Sequence, residues 1–309
     1  MPHLTASSEL VRLRNALLLD AEPANAVWTP AALPPDFRAG SPASTDPKFA
    51  DLARRFSLRI EGDDWGTALR IGQILRQPGR APGNPIQSSL SETYRRITDN
   101  AEGYCADFSD VFTALAQASG VFSRSWAFSF DGFGGHGHVF NEIWDRRSGR
   151  WIMLDVFNNF YFVDAAGRPL SALEVRDVLL SGGAPRMIPV APASPPGYRY
   201  PEKAIDYYRR GLPEWYLWWG NNVFENDRSS LVRLASKAGR SAEQLLALGA
   251  GLYPHIRILE SRDNEVQRQQ LENIRLRLVT LLVAGVFAAG AAVSWWWAAR
   301  QRRKAVHAG

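Results

Sequence analysis

The chain has 309 residues, 46 % of them hydrophobic and 22 % charged, which excludes a disordered polymer and allows one large domain or two smaller ones. Its single cysteine, Cys105, excludes an internal disulfide. The net charge of +5 (36 basic, 31 acidic) is concentrated at Arg300, Arg302, Arg303 and Lys304 in one short tail, and it is not read as a nucleic-acid signal.

Residues 1–47 read as an N-terminal arm. The apolar stretch NALLLDA is too short for a signal peptide and is flanked by Glu9, Arg12, Arg14 and Asp20; residues 22–47 are rich in Pro and Ala. A helix is predicted from Asp63, with Trp65, Ala68, Leu69, Gly72 and Leu75 on one face and Pro78-Gly79 as its stop. The loop QPGRAPGNP and the segment SSLSETYRRITDNAEG lead to Cys105. Phe108, Val111, Phe112 and Leu115 then fit a helix over 106–118 closed by Gly120.

SRSWAFSF alternates as a strand does, and DGFGGHG connects it to the strand candidates HVFNEIWD and RWIMLDVF around the turn DRRSGR. GRPLSALEVRDVLLSGG reads as a short helix with its loops, and 185–200 as irregular. Residues 207–227 are dense in aromatics, read as core, as a lid, as a surface lying on the bilayer, or as a substrate-binding wall. Residues 241–277 read as helix with a break near Pro254.

Leu278 to Ala299 carries no charge over 22 residues. As a helix it reaches about 33 Å, enough to cross a bilayer core. Trp295, Trp296 and Trp297 beside Arg300 fit an aromatic belt with basic anchors. A single-pass C-terminal membrane anchor is expected. The basic tail would favour a cytoplasmic C-terminus and put the domain outside, but Arg268, Arg275 and Arg277 on the other flank weaken that asymmetry. The N-terminal stretch shows no export signal, so the domain is expected on the cytoplasmic side.

Cys105 stands at the front of a predicted helix, where free N–H groups and the helix dipole favour a thiolate and could hold an oxyanion. A cysteine nucleophile needs a base and a group to orient it. Of the five histidines, His3 and His307 are terminal and His255 follows Pro254, which leaves His136 and His138. Pairing Trp144 with Trp151 makes paired numbers sum to 295 and sets His138 opposite Phe157. Asp155 then shares a face with Phe157, Met153 and Trp151 and becomes a diagonal neighbour of His138, about 7–8 Å away between backbones. A slip of one residue would turn Asp155 to the other face. The HGH pair with Cys105 and Asp155 could alternatively bind a metal.

Together, Gly-x-Cys at a helix start, ASGVFSR before a strand, GHVFNEIW and RWIMLD resemble the transglutaminase-like (papain-like thiol) superfamily over about residues 60–165. The resemblance implies Cys105 as nucleophile, His138 as general base and Asp155 as the residue that orients it. Phe140 and Val156 depart from the aromatic and Asp-Pro habits of that family, and Gln87 is the available upstream side chain for an oxyanion hole.

The expected fold is therefore α+β. A papain-like core over 48–165 has the Cys-bearing helix packed on an antiparallel sheet that carries His and Asp. An aromatic-rich extension (166–240), a juxtamembrane helical region (241–277), a transmembrane helix (278–299) and a basic tail (300–309) follow. The expected function is a membrane-anchored cysteine enzyme that hydrolyses an amide or peptide bond, or transfers its acyl group, with no cofactor and no metal. Its expected partners are an amide-containing substrate and the bilayer, with a protein partner open. The alternative is a catalytically silent module that docks a partner through residues 145–150 or through Trp215, Trp218 and Trp219.

Overall fold

The computed structural model describes residues 8–86, 88–195, 197–236 and 240–306. In chain order it runs α1 (Ser8–Leu18), α2 (Pro47–Arg55), α3 (Asp64–Leu75), α4 (Leu90–Asn100), α5 (Cys105–Ala118), β1 (Ser123–Ser129), β2 (Gly137–Asp145), β3 (Arg150–Leu154) and β4 (Phe160–Val163). Then follow α6 (Ala172–Leu180), β5 (Arg186–Pro189), α7 (Pro201–Gly211), β6 (Trp215–Trp218), α8 (Glu225–Arg228), α9 (Ser230–Ser236), α10 (Arg240–Gly249), β7 (Ile256–Ile258) and α11 (Glu265–Val306).

The sheet is antiparallel, in the order β3-β2-β1-β6-β7, and β4 and β5 form a separate pair. Side chains alternate across it. Ser125 and Asn141 face α5, where the Asn141 amide donates to Ser109 O and Thr113 Oγ1 at 3.3 and 3.1 Å. Trp126, Phe128 and Phe140 face the other way and join Phe160, Phe162, Tyr208 and Trp215 in the largest apolar cluster. A second cluster fills the space between α2, α3, α4 and α5 and the sheet, and a third lies among α1, β6, β7 and α11.

The predicted helices form where their caps are. Asp63 accepts Gly66 N–H at 2.8 Å at the start of α3, and Ser171 and Glu174 cap α6 reciprocally. The Trp144–Trp151 register holds over 141–145 and 150–154.

Several elements differ from the sequence reading. Inside the arm over 1–47, residues 8–18 form α1, and Trp28 and Phe37 are buried in the largest cluster. Residues 185–200 contain β5, too short to show a period of two. In the aromatic segment the core reading holds for Tyr208, Trp215, Leu217 and Trp219, but its strand is not expected from the sequence. Residues 215–218 are a strand inside the main sheet, beside β1. The helical reading of 241–277 misses β7, a three-residue edge strand after Pro254. Among the described residues one helix, α11, is long and apolar enough to cross a membrane, and residues 279–298 of it are exposed.

A buried charge pair fastens the sheet to its surroundings. Arg124 and Glu142, opposite each other on β1 and β2, lie 2.7 Å apart at 1 % and 0 % exposure. Glu142 also accepts Trp126 Nε1–H at 2.8 Å and the Ala172 N–H at 2.7 Å, and Arg124 donates to Ala26 O at 3.0 Å. The guanidinium lies 3.7 Å from the Trp151 ring centre. Glu142→Ala leaves a buried cation without its counter-charge. We expect it to cost about 3–5 kcal/mol in urea unfolding.

Candidate active site

The loop before Cys105 fixes where α5 begins. Gly103 takes φ +110° and donates its N–H to the carbonyls of Gly83 and Asn84 at 2.9 and 2.7 Å. A Cβ there would meet Phe108 and Ile97 at 3.2 and 3.3 Å, in a backbone region that side chains avoid. Asp107, one turn into the helix, accepts Tyr104 N–H at 2.9 Å and Ile86 N–H at 3.2 Å. Its carboxylate is thus spent on capping and on the preceding loop. The N–H groups of Cys105 and Ala106 stand at the helix start with no carbonyl four residues back inside α5. The Cys105 thiol is partly exposed.

His138 enters from the second residue of β2. Gly137 before it runs so close to the Phe128 carbonyl that no side chain would fit. β3 ends at Leu154, opposite Asn141, so β2 from Gly137 to Phe140 has no strand on that side. His138, 3 % exposed, lies in this open stretch. The register sum is the expected one, but Asp155 is not in the ladder. It has turned off β3 into a tight bridge with Phe160, donating to Phe160 O at 2.8 Å and accepting from Phe160 N at 3.0 Å.

That turn brings the two side chains into direct contact: His138 Nε2 lies 2.7 Å from Asp155 Oδ2. The same oxygen accepts Asn158 Nδ2–H and Tyr208 O–H, each at 2.8 Å, and Oδ1 accepts Asn158 N–H at 3.0 Å. With Nε2 committed to Asp155, Nδ1 is the ring nitrogen left for a further partner, and Cys105 lies near enough to His138 for its thiol to favour the charged imidazole.

Burial would make the imidazole harder to protonate. The Asp155 charge and hydrogen bond outweigh this, Cys105 adds to them, and the His138 pKa is pushed up to about 10. Burial would likewise raise the Asp155 carboxyl, yet the charge and hydrogen bond of His138 and the two Asn158 donors hold it below the usual carboxylate range. The Tyr208 hydroxyl is driven well above its ordinary pKa by burial and by Asp155, so it stays a donor.

Aromatic rings wall the site. The His138 ring centre lies 6.1 Å from Phe157, 5.8 Å from Tyr207 and 5.9 Å from Tyr208. Arg76 holds the loops on the far side, donating to Phe157 O and Pro195 O at 2.8 Å each.

Of the three residues singled out in the sequence, His138 and Asp155 are in contact and Cys105 lies close to His138. His136 does not join them: it is exposed and 3.3 Å from Asp131. Among the described residues, no group of three or more His, Cys, Asp and Glu side chains is placed to hold a metal. Gln87 lies outside the described residues. Asn158 and Tyr208 were missed. Asn158 follows Asp155 by three residues, the reach of a turn, which is a signal of a kind; Tyr208, in YYRRG, carries none.

Residues 67–156 match the family model of the transglutaminase-like superfamily, so the chain carries a transglutaminase-like domain. The matched stretch runs from inside α3 to one residue past Asp155. No curated protein and no solved structure matches the chain.

Linkage gives the pair a pH signature. A histidine with a raised folded pKa adds stability fully present below its ordinary value of 6.5, and that stability is lost as pH rises towards about 10. The depressed Asp155 adds stability above its ordinary 3.8 that is lost as pH falls. The stability gap between the native chain and His138→Gln should be widest at about pH 4–6.5 and narrow steadily above it, as read from urea midpoints. A gap that does not change with pH would remove the ion pair.

Proposed function

We propose that the chain is a membrane-anchored transglutaminase-like cysteine enzyme that cleaves an amide or peptide bond. Cys105 is the nucleophile, His138 the general base and Asp155 the residue that orients it. The observation that carries this reading is the buried 2.7 Å contact of His138 with Asp155 on one ring nitrogen, with the partly exposed Cys105 close to the same histidine.

The steps follow from the geometry. Cys105 Sγ, its proton already handed to His138 Nδ1 in a thiolate–imidazolium pair, attacks the carbonyl carbon. The N–H groups at the start of α5 face the developing oxyanion, and the dipole of the helix stabilises it. The leaving amine takes the proton from Nδ1, giving a thioester. Water then attacks the thioester, gives its proton to Nδ1 and releases the acid with the thiol restored. An amine in place of water gives acyl transfer, and hydrolysis is the default because water is always at hand. Asp155 stays ionised and holds the imidazole in one orientation throughout.

Burial weakens the silent-module reading for the aromatic segment, though not for residues 146–149, which are exposed. Trp215 and Trp219 are core, and Trp218 is half covered with Arg14 over its ring at 5.3 Å. A docking surface built on them has little to offer a partner.

As the chain's only thiol, Cys105 can be followed directly with iodoacetamide. Near pH 6 it should react at least tenfold faster in the native chain than in His138→Ala, because the thiolate is the reacting form and the paired imidazole maintains it. Equal rates in the two proteins would defeat the enzyme reading.

The proposed anchor is residues 278–299 of α11. Phe287→Arg, near the middle of the span, should shift the full chain from the carbonate-resistant membrane pellet towards the supernatant, since a central arginine costs about 2.5–3.5 kcal/mol of insertion. An unchanged pellet fraction would argue against a spanning helix.

A further inference from the structure

The Asp155 carboxylate is served from outside the matched segment. Tyr208 lies on α7, some fifty residues beyond the family match, and its ring is packed against Phe128, Phe140, Phe160 and Phe162. Its hydroxyl is fully buried, and its hydrogen bond is to Asp155 Oδ2, at 2.8 Å. That is the oxygen which also meets His138 Nε2 at 2.7 Å. A tyrosine whose task was only to fill the cluster would do so as phenylalanine. A buried hydroxyl set on the orienting carboxylate has an electrostatic consequence.

Resting on the cysteine-enzyme reading above, we infer that Tyr208 is a positioning residue of this site: by donating to Asp155 Oδ2 it fixes the carboxylate and takes up part of its charge, which limits how firmly His138 holds its proton. A carboxylate that held the imidazolium too tightly would keep the proton that the leaving amine must take. Tyr208 and the Asn158 amide share the oxygen with His138 and weaken that hold, while keeping the carboxylate from rotating. The charged and titratable groups around the pair are Cys105 at the start of α5, Arg76 at the end of α3, Tyr198 in the loop before α7, and Tyr207 and Tyr208 on α7. Of the three tyrosines, Tyr208 is the one with a hydrogen bond to the carboxylate; Tyr207 donates to Gly137 O at 3.1 Å.

The test uses the full chain in detergent and reads two things, the NMR titration of the His138 ring and the pH profile of Cys105 alkylation. Tyr208→Phe keeps the ring in its cluster and removes only the donor. The His138 titration should move up by about one pH unit, and the high-pH limb of thiolate–imidazolium reactivity should move with it. Replacing Tyr208 by 3-fluorotyrosine makes the phenol a stronger donor and should move both readouts the other way. A merely structural role would lower reactivity at every pH, in both variants, without this reversal of sign. If Tyr208→Phe and the fluorinated chain titrate as the native chain does, the Tyr208 inference is overturned. His138→Ala separates the two levels: if it leaves Cys105 alkylation unchanged, the enzyme reading itself has failed, whatever Tyr208 does.

Discussion

The site depends on one buried charge. Asp155 is fully enclosed, and a carboxylate there is tolerable only if every lone pair is answered. Four donors answer it: the His138 ring, the Asn158 amide, the Asn158 backbone and the Tyr208 hydroxyl. These come from β2, from the turn after β3 and from α7. Three parts of the chain that are distant in sequence must therefore dock together before the carboxylate is satisfied, and the histidine is oriented as a result. Cys105 beside it is partly exposed, while the His138–Asp155 pair lies wholly inside.

A second buried carboxylate follows the same rule and serves the scaffold. Glu142 lies four residues along β2 from His138, with its side chain on the same face of the sheet. It binds Arg124 and Trp126 of β1 and the first N–H of α6, where the helix dipole favours its charge. Arg124 in turn holds Ala26 of the N-terminal arm. The strand that presents His138 is thus locked along its length by buried polar bonds, not by apolar packing alone. Such bonds have few alternative arrangements, and this keeps the histidine in register with the turn that carries Asp155.

Much of this was legible in the sequence, for identifiable reasons. Gly-x-Cys marks the start of a helix, and Phe108, Val111, Phe112 and Leu115 show its buried face. Alternation and the Trp144–Trp151 pairing gave the hairpin register, and with it the side of the sheet on which Asp155 lies. The exact contact was not legible. Asp155 leaves the ladder at the end of β3, and a turn that closes on Phe160 has no period to read. β6 and β7 escaped for a related reason. Four and three residues are too few for a period of two, and WYLW is apolar on both faces because it lies inside the sheet. Tyr208 escaped because its role depends on where α7 docks, which no local pattern encodes.

The transglutaminase-like match ends at residue 156, yet the structure built on it does not. β6 pairs with β1 and β7 with β6, so the sheet that carries His138 is completed by chain from well beyond the match. α1 closes the other side. Asn15 donates to Phe133 O at 2.8 Å, and Arg12 and Ser8 bond Asp131 and its carbonyl, all in the loop that leads to His138. The same helix packs against α11, whose Leu271 is buried with Ala16, Leu18 and Leu19. From Glu265 to Ala284, α11 contains neither glycine nor proline, and it runs unbroken from this packed segment into the apolar stretch. The apolar helix is therefore a continuation of the folded domain, not a tether joined to it by a flexible linker. If it lies in a bilayer, the domain has a fixed attitude to the membrane surface, and α1 joins the base of that helix to the loop that carries the histidine.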